Sequence, residues 1–104
     1  MKVFISQPMN GLTTLEILNQ RERAIDILKA IYKDEEIEVL DTVFNLEEGT
    51  HPLVYLGKSI KVLSKADVAF FCNGWEKARG CLIEMMCCKK YGIKTLSEVN
   101  NDGL

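Results

Sequence analysis

A chain of 104 residues, 47% hydrophobic and 27% charged, is long enough for one domain with a single core. Its net charge of −2, without a basic cluster, argues against binding nucleic acid through a charged patch. No apolar run reaches the length of a membrane span, and the apolar stretch in Met1–Ile5 is too short for a signal peptide. We therefore expect one cytoplasmic domain, residues 1–104, that binds neither nucleic acid nor membrane.

The cysteines indicate a reducing environment. Cys72, Cys81, Cys87 and Cys88 lack the spacing of a zinc site, and His51 is the only histidine. Without an export signal, the four residues are expected to be buried thiols. We expect neither a metal nor a cofactor.

The first half of the chain contains two predicted strands around one helix. Lys2–Ile5 is a short β-prone run that ends at the loop Ser6–Gly11. Thr13 and Glu16 have the spacing of a capping box at the start of the helix, and Ile37–Leu40 is the second apolar strand. Apolar side chains at helical spacing are expected to form the buried face of the helix: Leu15, Leu18, Ile25, Leu28 and Ile31.

The second half repeats the alternation. Pro52 suits the first turn of a helix, and His51 before it is expected to start that helix. Val68–Cys72 is a continuously apolar strand, a third helix extends from about Gly80 to Tyr91, and Ile93–Leu96 is the last predicted strand. The buried stripe of the Pro52 helix is expected at Leu53, Leu56, Ile60 and Leu63.

The order βαβαβαβ, with short unbroken apolar strands, predicts an α/β fold in which helices cover both faces of a parallel sheet. In such sheets, ligands bind beyond the carboxyl ends of the strands. This rule brings Ser6–Gly11 and Asn73–Gly80 to the same rim, with Glu84 just inside it.

Glu84 is the only charge in the run Gly80–Cys88, and no Lys or Arg stands three or four residues away to pair with it. On a helix it points with small and apolar side chains, while Lys89 and Lys90 lie roughly opposite. An inward carboxylate without a partner is costly, which favours a functional role over a salt bridge to a distant Lys or Arg. Such a carboxylate is a competent nucleophile toward a sugar carbon.

The rim loops supply groups that suit a nucleoside or nucleotide. Trp75 offers a flat face for a nucleobase, and Arg79 with the N–H groups at the helix start suits a phosphate. The plain alternatives are a packing role for Trp75, a surface role for Arg79 and an ordinary turn at Ser6–Gly11. The candidate binding residues on the rim are Ser6, Gln7, Pro8, Met9, Asn10, Gly11, Asn73, Trp75, Arg79 and Gly80.

Four stretches carry a family resemblance: Val3–Gly11, Tyr55–Ser59, Ala66–Val68 and, most specifically, Gly74–Glu84. In these stretches the chain resembles the nucleoside 2-deoxyribosyltransferase-like family, and most closely a small bacterial and phage branch of it. The resemblance implies a three-layer, Rossmann/flavodoxin-like sandwich with a sheet of four to five strands. It also implies that Glu84 is the nucleophile of a covalent glycosyl-enzyme intermediate, and that the protein is a homo-oligomer, a dimer or larger.

The chain departs from that family at two positions. Ser59 stands where characterised transferases carry Asp, and Ala78 stands about where they carry another acidic residue. Ser59 is therefore an additional candidate for substrate binding, and the protonation of the leaving base has no assigned donor. Asp67 matches a family Asp, but it falls at the start of a strand, so we expect a structural role.

We expect a nucleoside or nucleotide N-glycosidase, or a deoxyribosyltransferase-like enzyme, whose partner is a small-molecule nucleoside or nucleotide. A non-catalytic nucleotide-binding or sensing domain with the same pocket is the alternative. A third interpretation is a scaffolding protein that assembles through Leu82 and Met86, which point away from Glu84 on the helix.

Overall fold

A computed structural model of the protein describes residues 1–42 and 46–98. Within these ranges the elements follow the order βαβαβαβ that the sequence predicts, with a short 3₁₀ turn before the third helix. No helix in this part of the chain has the length and apolar character to cross a membrane. The elements are β1 (Lys2–Ser6), α1 (Thr14–Ile31), β2 (Glu38–Val39), α2 (Pro52–Leu63), β3 (Val68–Phe71), the 3₁₀ turn Trp75–Lys77, α3 (Arg79–Tyr91) and β4 (Lys94–Ser97).

The four strands form one parallel sheet in the order β2-β1-β3-β4, which confirms the predicted α/β fold. From β1 the chain moves outward to β2, and it then returns to β3 and continues to β4 on the other side. The strand order therefore reverses between β1 and β3, where Ser6 lies level with Phe71. Ligands of such sheets bind in the crevice at this reversal, beyond the carboxyl ends of the strands.

The strands are apolar on both sides because helices cover both faces of the sheet. The α1 helix packs on one face, in a buried cluster formed by Val3, Ile5, Ala24, Leu28, Val68, Phe70 and Cys72. The α2 and α3 helices pack on the other face, in a cluster formed by Phe4, Leu40, Leu63, Ala69, Phe71, Cys81 and Cys88. The three-layer arrangement is therefore present.

Local signals in the sequence fix the starts of two helices. The Thr13 hydroxyl accepts the N–H of Glu16, and the Glu16 carboxylate accepts the N–H of Thr13, so the predicted capping box is confirmed. His51 caps α2, as expected, because its Nδ1 accepts the N–H of Leu53 at 3.1 Å.

Asp67 has the structural role that its position predicts. Its carboxylate accepts the backbone N–H of Lys2 at 2.7 Å, at the amino end of the sheet and away from the candidate rim. It thereby fastens the first residue of β1 beside the start of β3.

The predicted buried faces of α1 and α2 were partly wrong. Leu15, Leu18 and Ile31 of α1 are 66%, 53% and 51% exposed. Leu28 is buried as predicted, but it shares the face toward the sheet with Gln20 and Ala24. Gln20 and Ala24 are not large apolar residues, so a pattern of large apolar residues does not reveal this face. Leu53 of α2 is likewise exposed, whereas Leu63 is buried.

Candidate active site

The carboxyl ends of β1 and β3 open into a cleft of about 990 Å³. The loop after β1 and the first turns of α2 and α3 form its walls. The reversal of strand order therefore coincides with the cavity. The structure brings together in its lining nine of the residues that the sequence singled out: Ser6, Gln7, Pro8, Met9, Asn10, Ser59, Arg79, Gly80 and Glu84.

Glu84 lines this cleft while only 7% of its surface is exposed. It lies on the buried stripe of α3 together with Cys81 and Cys88. The Ser6 hydroxyl, at the end of β1, donates a hydrogen bond of 2.7 Å to Glu84 Oε1. Among the described residues no Lys or Arg forms an ion pair with Glu84. The carboxylate is therefore buried and oriented, but its charge is not neutralised.

Burial raises the pKa of Glu84, and the hydrogen bond from Ser6 offsets part of that rise by favouring the charged form. The net direction is upward. An ionised Glu84 is consequently more basic than a solvated glutamate, and its charge is poorly solvated. Both properties suit a carboxylate that attacks an electrophilic carbon.

Cys81 lines the cleft beside Glu84, but it does not compete as a nucleophile. Burial raises the pKa of its thiol to about 11; the nearby Glu84 charge acts in the same direction, and a hydrogen bond with Ser6 acts against it. Since the thiolate is the reactive form of cysteine, the raised pKa makes the Cys81 thiol a weak nucleophile at neutral pH. Burial likewise raises the pKa of Cys72 to about 12.

Three of the predicted binding residues, Gly11, Asn73 and Trp75, are not part of the cleft lining in the described structure. The Trp75 ring packs against Phe71 with a centroid distance of 5.6 Å, so the half-buried indole covers the core. Gly11 has a φ of 78° in the turn that Met9 and Leu12 close. A side chain at this position would be strained.

The cleft also contains residues that the sequence analysis did not select, notably His51, Tyr55 and Lys77. The first two belong to the start of α2, and Lys77 precedes α3. A usable signal existed, because helices that follow parallel strands begin at the carboxyl edge of the sheet. The start of α2 was therefore as predictable a part of the rim as the start of α3.

The two residues that depart from the transferase pattern, Ser59 and Ala78, both line the cleft. Ala78 is the N-cap residue of α3 and forms no capping hydrogen bond through its side chain. Among the described residues that line the cleft, Glu84 is the only carboxylate.

Within residues 1–42 and 46–98, no three His, Cys, Asp or Glu side chains are grouped to hold a metal ion.

The rim loop after β3 is held in place by Glu98, just beyond β4. Glu98 Oε1 accepts the backbone N–H of Asn73 at 2.9 Å, and Glu98 Oε2 pairs with Arg23 Nε of α1 at 2.5 Å. Burial alone would raise the pKa of Glu98, but the hydrogen bonds from Arg23 and Asn73, with the Arg23 charge, bring it below its usual value. The ionised form is therefore stabilised in the folded protein.

This arrangement predicts a stability that depends on pH. The contribution of Glu98 is fully present above the pKa of an unfolded glutamate and is lost as pH falls through the lower folded pKa. We expect Glu98→Gln to lower the free energy of unfolding by about 1 kcal/mol at neutral pH, since water screens the half-exposed Arg23. Urea unfolding across pH 3–7 measures the difference, which should shrink toward acid. A difference in the free energy of unfolding that is the same at every pH would contradict this role of Glu98.

The site lies within a region of the chain that matches a known protein family. Residues 1–97 match the family described as Domain of unknown function (DUF4406). No curated protein and no solved structure matches the chain. The matched residues include all four strands and every residue that lines the cleft.

Proposed function

We propose that this chain, which belongs to the DUF4406 family, cleaves the N-glycosidic bond of a nucleoside or nucleotide with Glu84 as the nucleophile. One observation carries the proposal. Glu84 is almost fully buried, has no cationic partner among the described residues, and is held by Ser6 in the cleft at the reversal of strand order. A carboxylate kept there for stability alone would lower the stability of the fold without compensation.

The reaction has two displacements at one carbon. The Glu84 carboxylate attacks C1′, the C1′–N bond breaks, and its electron pair leaves with the base, which takes up a proton. Water then attacks C1′ of the glycosyl ester, frees the sugar and regenerates the carboxylate. With a second base in place of water, the same intermediate gives transfer instead of hydrolysis.

The proton that the departing base takes up comes from water in the cleft, and the water that opens the glycosyl ester returns one proton to the solvent, so the two displacements balance. Glu84 is the only carboxyl group among the described residues that line the cleft, and Ser59 and Ala78 stand where the resemblance would place acidic residues. His51 also lines the cleft, but its Nδ1 accepts the N–H of Leu53 and so serves to cap α2.

The cleft suits a ligand of nucleotide size. Its volume lies within the range of about 300–1,000 Å³ that small-molecule sites occupy. Arg79 and Lys77 line it next to the start of α3, where backbone N–H groups favour an anion. Together with the resemblance of Gly74–Glu84 to the nucleoside 2-deoxyribosyltransferase-like family, these groups favour a nucleoside 5′-monophosphate over the free nucleoside.

Base release from a panel of ribo- and deoxyribonucleosides and their 5′-monophosphates tests this function. We expect free base from at least one member, detected by chromatography. Thermal stabilisation by a nucleotide without any base release would instead support the alternative, a nucleotide-binding or sensing domain. If no member is cleaved and none raises the melting temperature, both functions are contradicted.

We further propose a cytoplasmic homo-oligomer. Met86 and Leu82 are 63% and 45% exposed on α3, although both are large and apolar, which favours an interface between chains. The four cysteines are unpaired thiols, which favours a reducing compartment. Light scattering should give a mass of at least two chains, and Met86→Lys should shift it toward one. A single-chain mass for the unaltered protein over the micromolar range would contradict the proposal.

A further inference from the structure

A glutamine of α1 lies directly beneath the rim of the cleft. Gln20 is 9% exposed and is one of the few buried polar side chains in the described structure. It belongs to the face of α1 that packs against the sheet, beside Ala24 and Leu28. A polar group at such a position needs hydrogen-bond partners, and those partners show what it does.

Both ends of the Gln20 amide are used. Gln20 Oε1 accepts a hydrogen bond from Gln7 Nε2 at 3.2 Å, and Gln20 Nε2 donates to the backbone carbonyl of Asn73 at 3.2 Å. Gln7 Nε2 also donates to the carbonyl of Ile17, one turn earlier on α1, at 2.9 Å. One side chain therefore connects the loop that follows β1 with the loop that follows β3.

These loops flank the reversal of strand order and lead to the reacting group. Gln7 directly follows Ser6, the residue that holds Glu84. Asn73 precedes Gly74, whose φ of 91° starts the turn into α3, and α3 carries Glu84. Both backbone polar groups of Asn73 are held, because its carbonyl accepts a hydrogen bond from Gln20 and its N–H donates one to Glu98.

We propose that Gln20 is a positioning residue that sets the separation of the two rim loops from the face of the sheet opposite α3. It touches neither the cleft nor Glu84, so it acts through Gln7 and Asn73. Its effect on the loops is independent of the reaction, whereas its effect on turnover rests on the proposed function. The loss of Gln20 should free both loops together, and substrate binding should suffer more than chemistry.

Amide hydrogen exchange of the unliganded protein tests the positioning role without any substrate. Gln20→Met keeps the length of the side chain and removes both hydrogen bonds; Asn19→Met, on the exposed side of α1, is the matched control. We expect exchange at Leu12, Asn73 and Lys77 to rise about tenfold in Gln20→Met, as the loss of one to two hydrogen bonds implies. Exchange in the paired amides of β1 and β3 should change far less.

A second variant separates the two contacts. Gln20→Glu keeps an acceptor for Gln7 but has no donor for the Asn73 carbonyl, so exchange should rise at residues 73–78 more than at residues 7–12. Unchanged exchange in both loops of Gln20→Met would overturn the proposal. So would an equal rise across the whole sheet, which would mean a general loss of stability.

For an active enzyme, the same variants give a kinetic measurement. We expect Gln20→Met to raise KM about tenfold while kcat falls less, because misplaced loops weaken binding before they affect Glu84. A fall in kcat with an unchanged KM would contradict the inference. If the protein cleaves no nucleotide, the exchange results still decide the positioning role, and only the proposed function fails.

Discussion

Glu84→Gln is expected to lower base release at least about a thousandfold, because the amide cannot form the glycosyl ester of the proposed reaction. The side chain keeps its shape, and an oxygen can still accept the hydrogen bond from Ser6. The measurement is the initial rate of base release from the best substrate of the panel. Equal rates for the variant and the unaltered protein would remove Glu84 from the mechanism.

Two controls separate this loss from misfolding. Glu22→Gln changes an exposed glutamate of α1 and should leave the rate unchanged. Because burial raises the pKa of Glu84, its contribution to stability is greatest at low pH and is lost as pH rises through the folded pKa. Glu84→Gln should therefore unfold at the same temperature as the unaltered protein or at a higher one, at neutral pH. A lower melting temperature would mean that the carboxylate stabilises the fold.

Ser6→Ala is expected to lower kcat/KM by about 10- to 100-fold and to move the acidic limb of the pH–rate profile to higher pH. Ser6 holds Glu84 through the buried 2.7 Å hydrogen bond, and that bond lowers the pKa of the carboxyl group. Without it, burial acts alone and Glu84 stays protonated to a higher pH. The profile of kcat/KM between pH 4 and 9 measures both effects.

The matched control for this variant is Ser97→Ala, at the exposed end of β4. It should change neither the rate nor the profile. An acidic limb that stays in place in Ser6→Ala would show that the Ser6 hydroxyl does not affect the ionisation of Glu84. A limb that moves to lower pH would mean that the Ser6 hydroxyl raises the pKa of Glu84, which is the opposite of the expected effect.

Much of the fold follows from the sequence because its signals are local. Unbroken apolar strands predict helices on both faces of a sheet, and the capping box at Thr13 and Pro52 after His51 mark helix starts. The inward position of Glu84 is also predictable, since a lone charge stands among small and apolar neighbours. Its contact with Ser6, 78 residues away in sequence, depends by contrast on β1 lying beside β3, which leads into α3.

The remaining features depend on packing, which periodicity does not determine. Trp75 is the type of residue that stacks on nucleobases, but its ring packs against the buried Phe71. Leu15 has helical spacing with Leu18, yet Gln20 faces the sheet because two loops supply partners for its amide. A buried glutamine has no apolar signature, so no hydrophobic pattern selects it.

The most direct test of the proposed function is mass spectrometry of the protein after an acid quench during incubation with the best substrate of the panel. Trypsin releases Glu84 in the peptide Gly80–Lys89, so a bound sugar can be assigned to it. We expect this peptide to gain the mass of one glycosyl group, located on Glu84, and the Glu84→Gln peptide to gain none. Turnover with the sugar on another residue, or with no adduct even for a 2-fluoro substrate that slows hydrolysis of the ester, would contradict the mechanism.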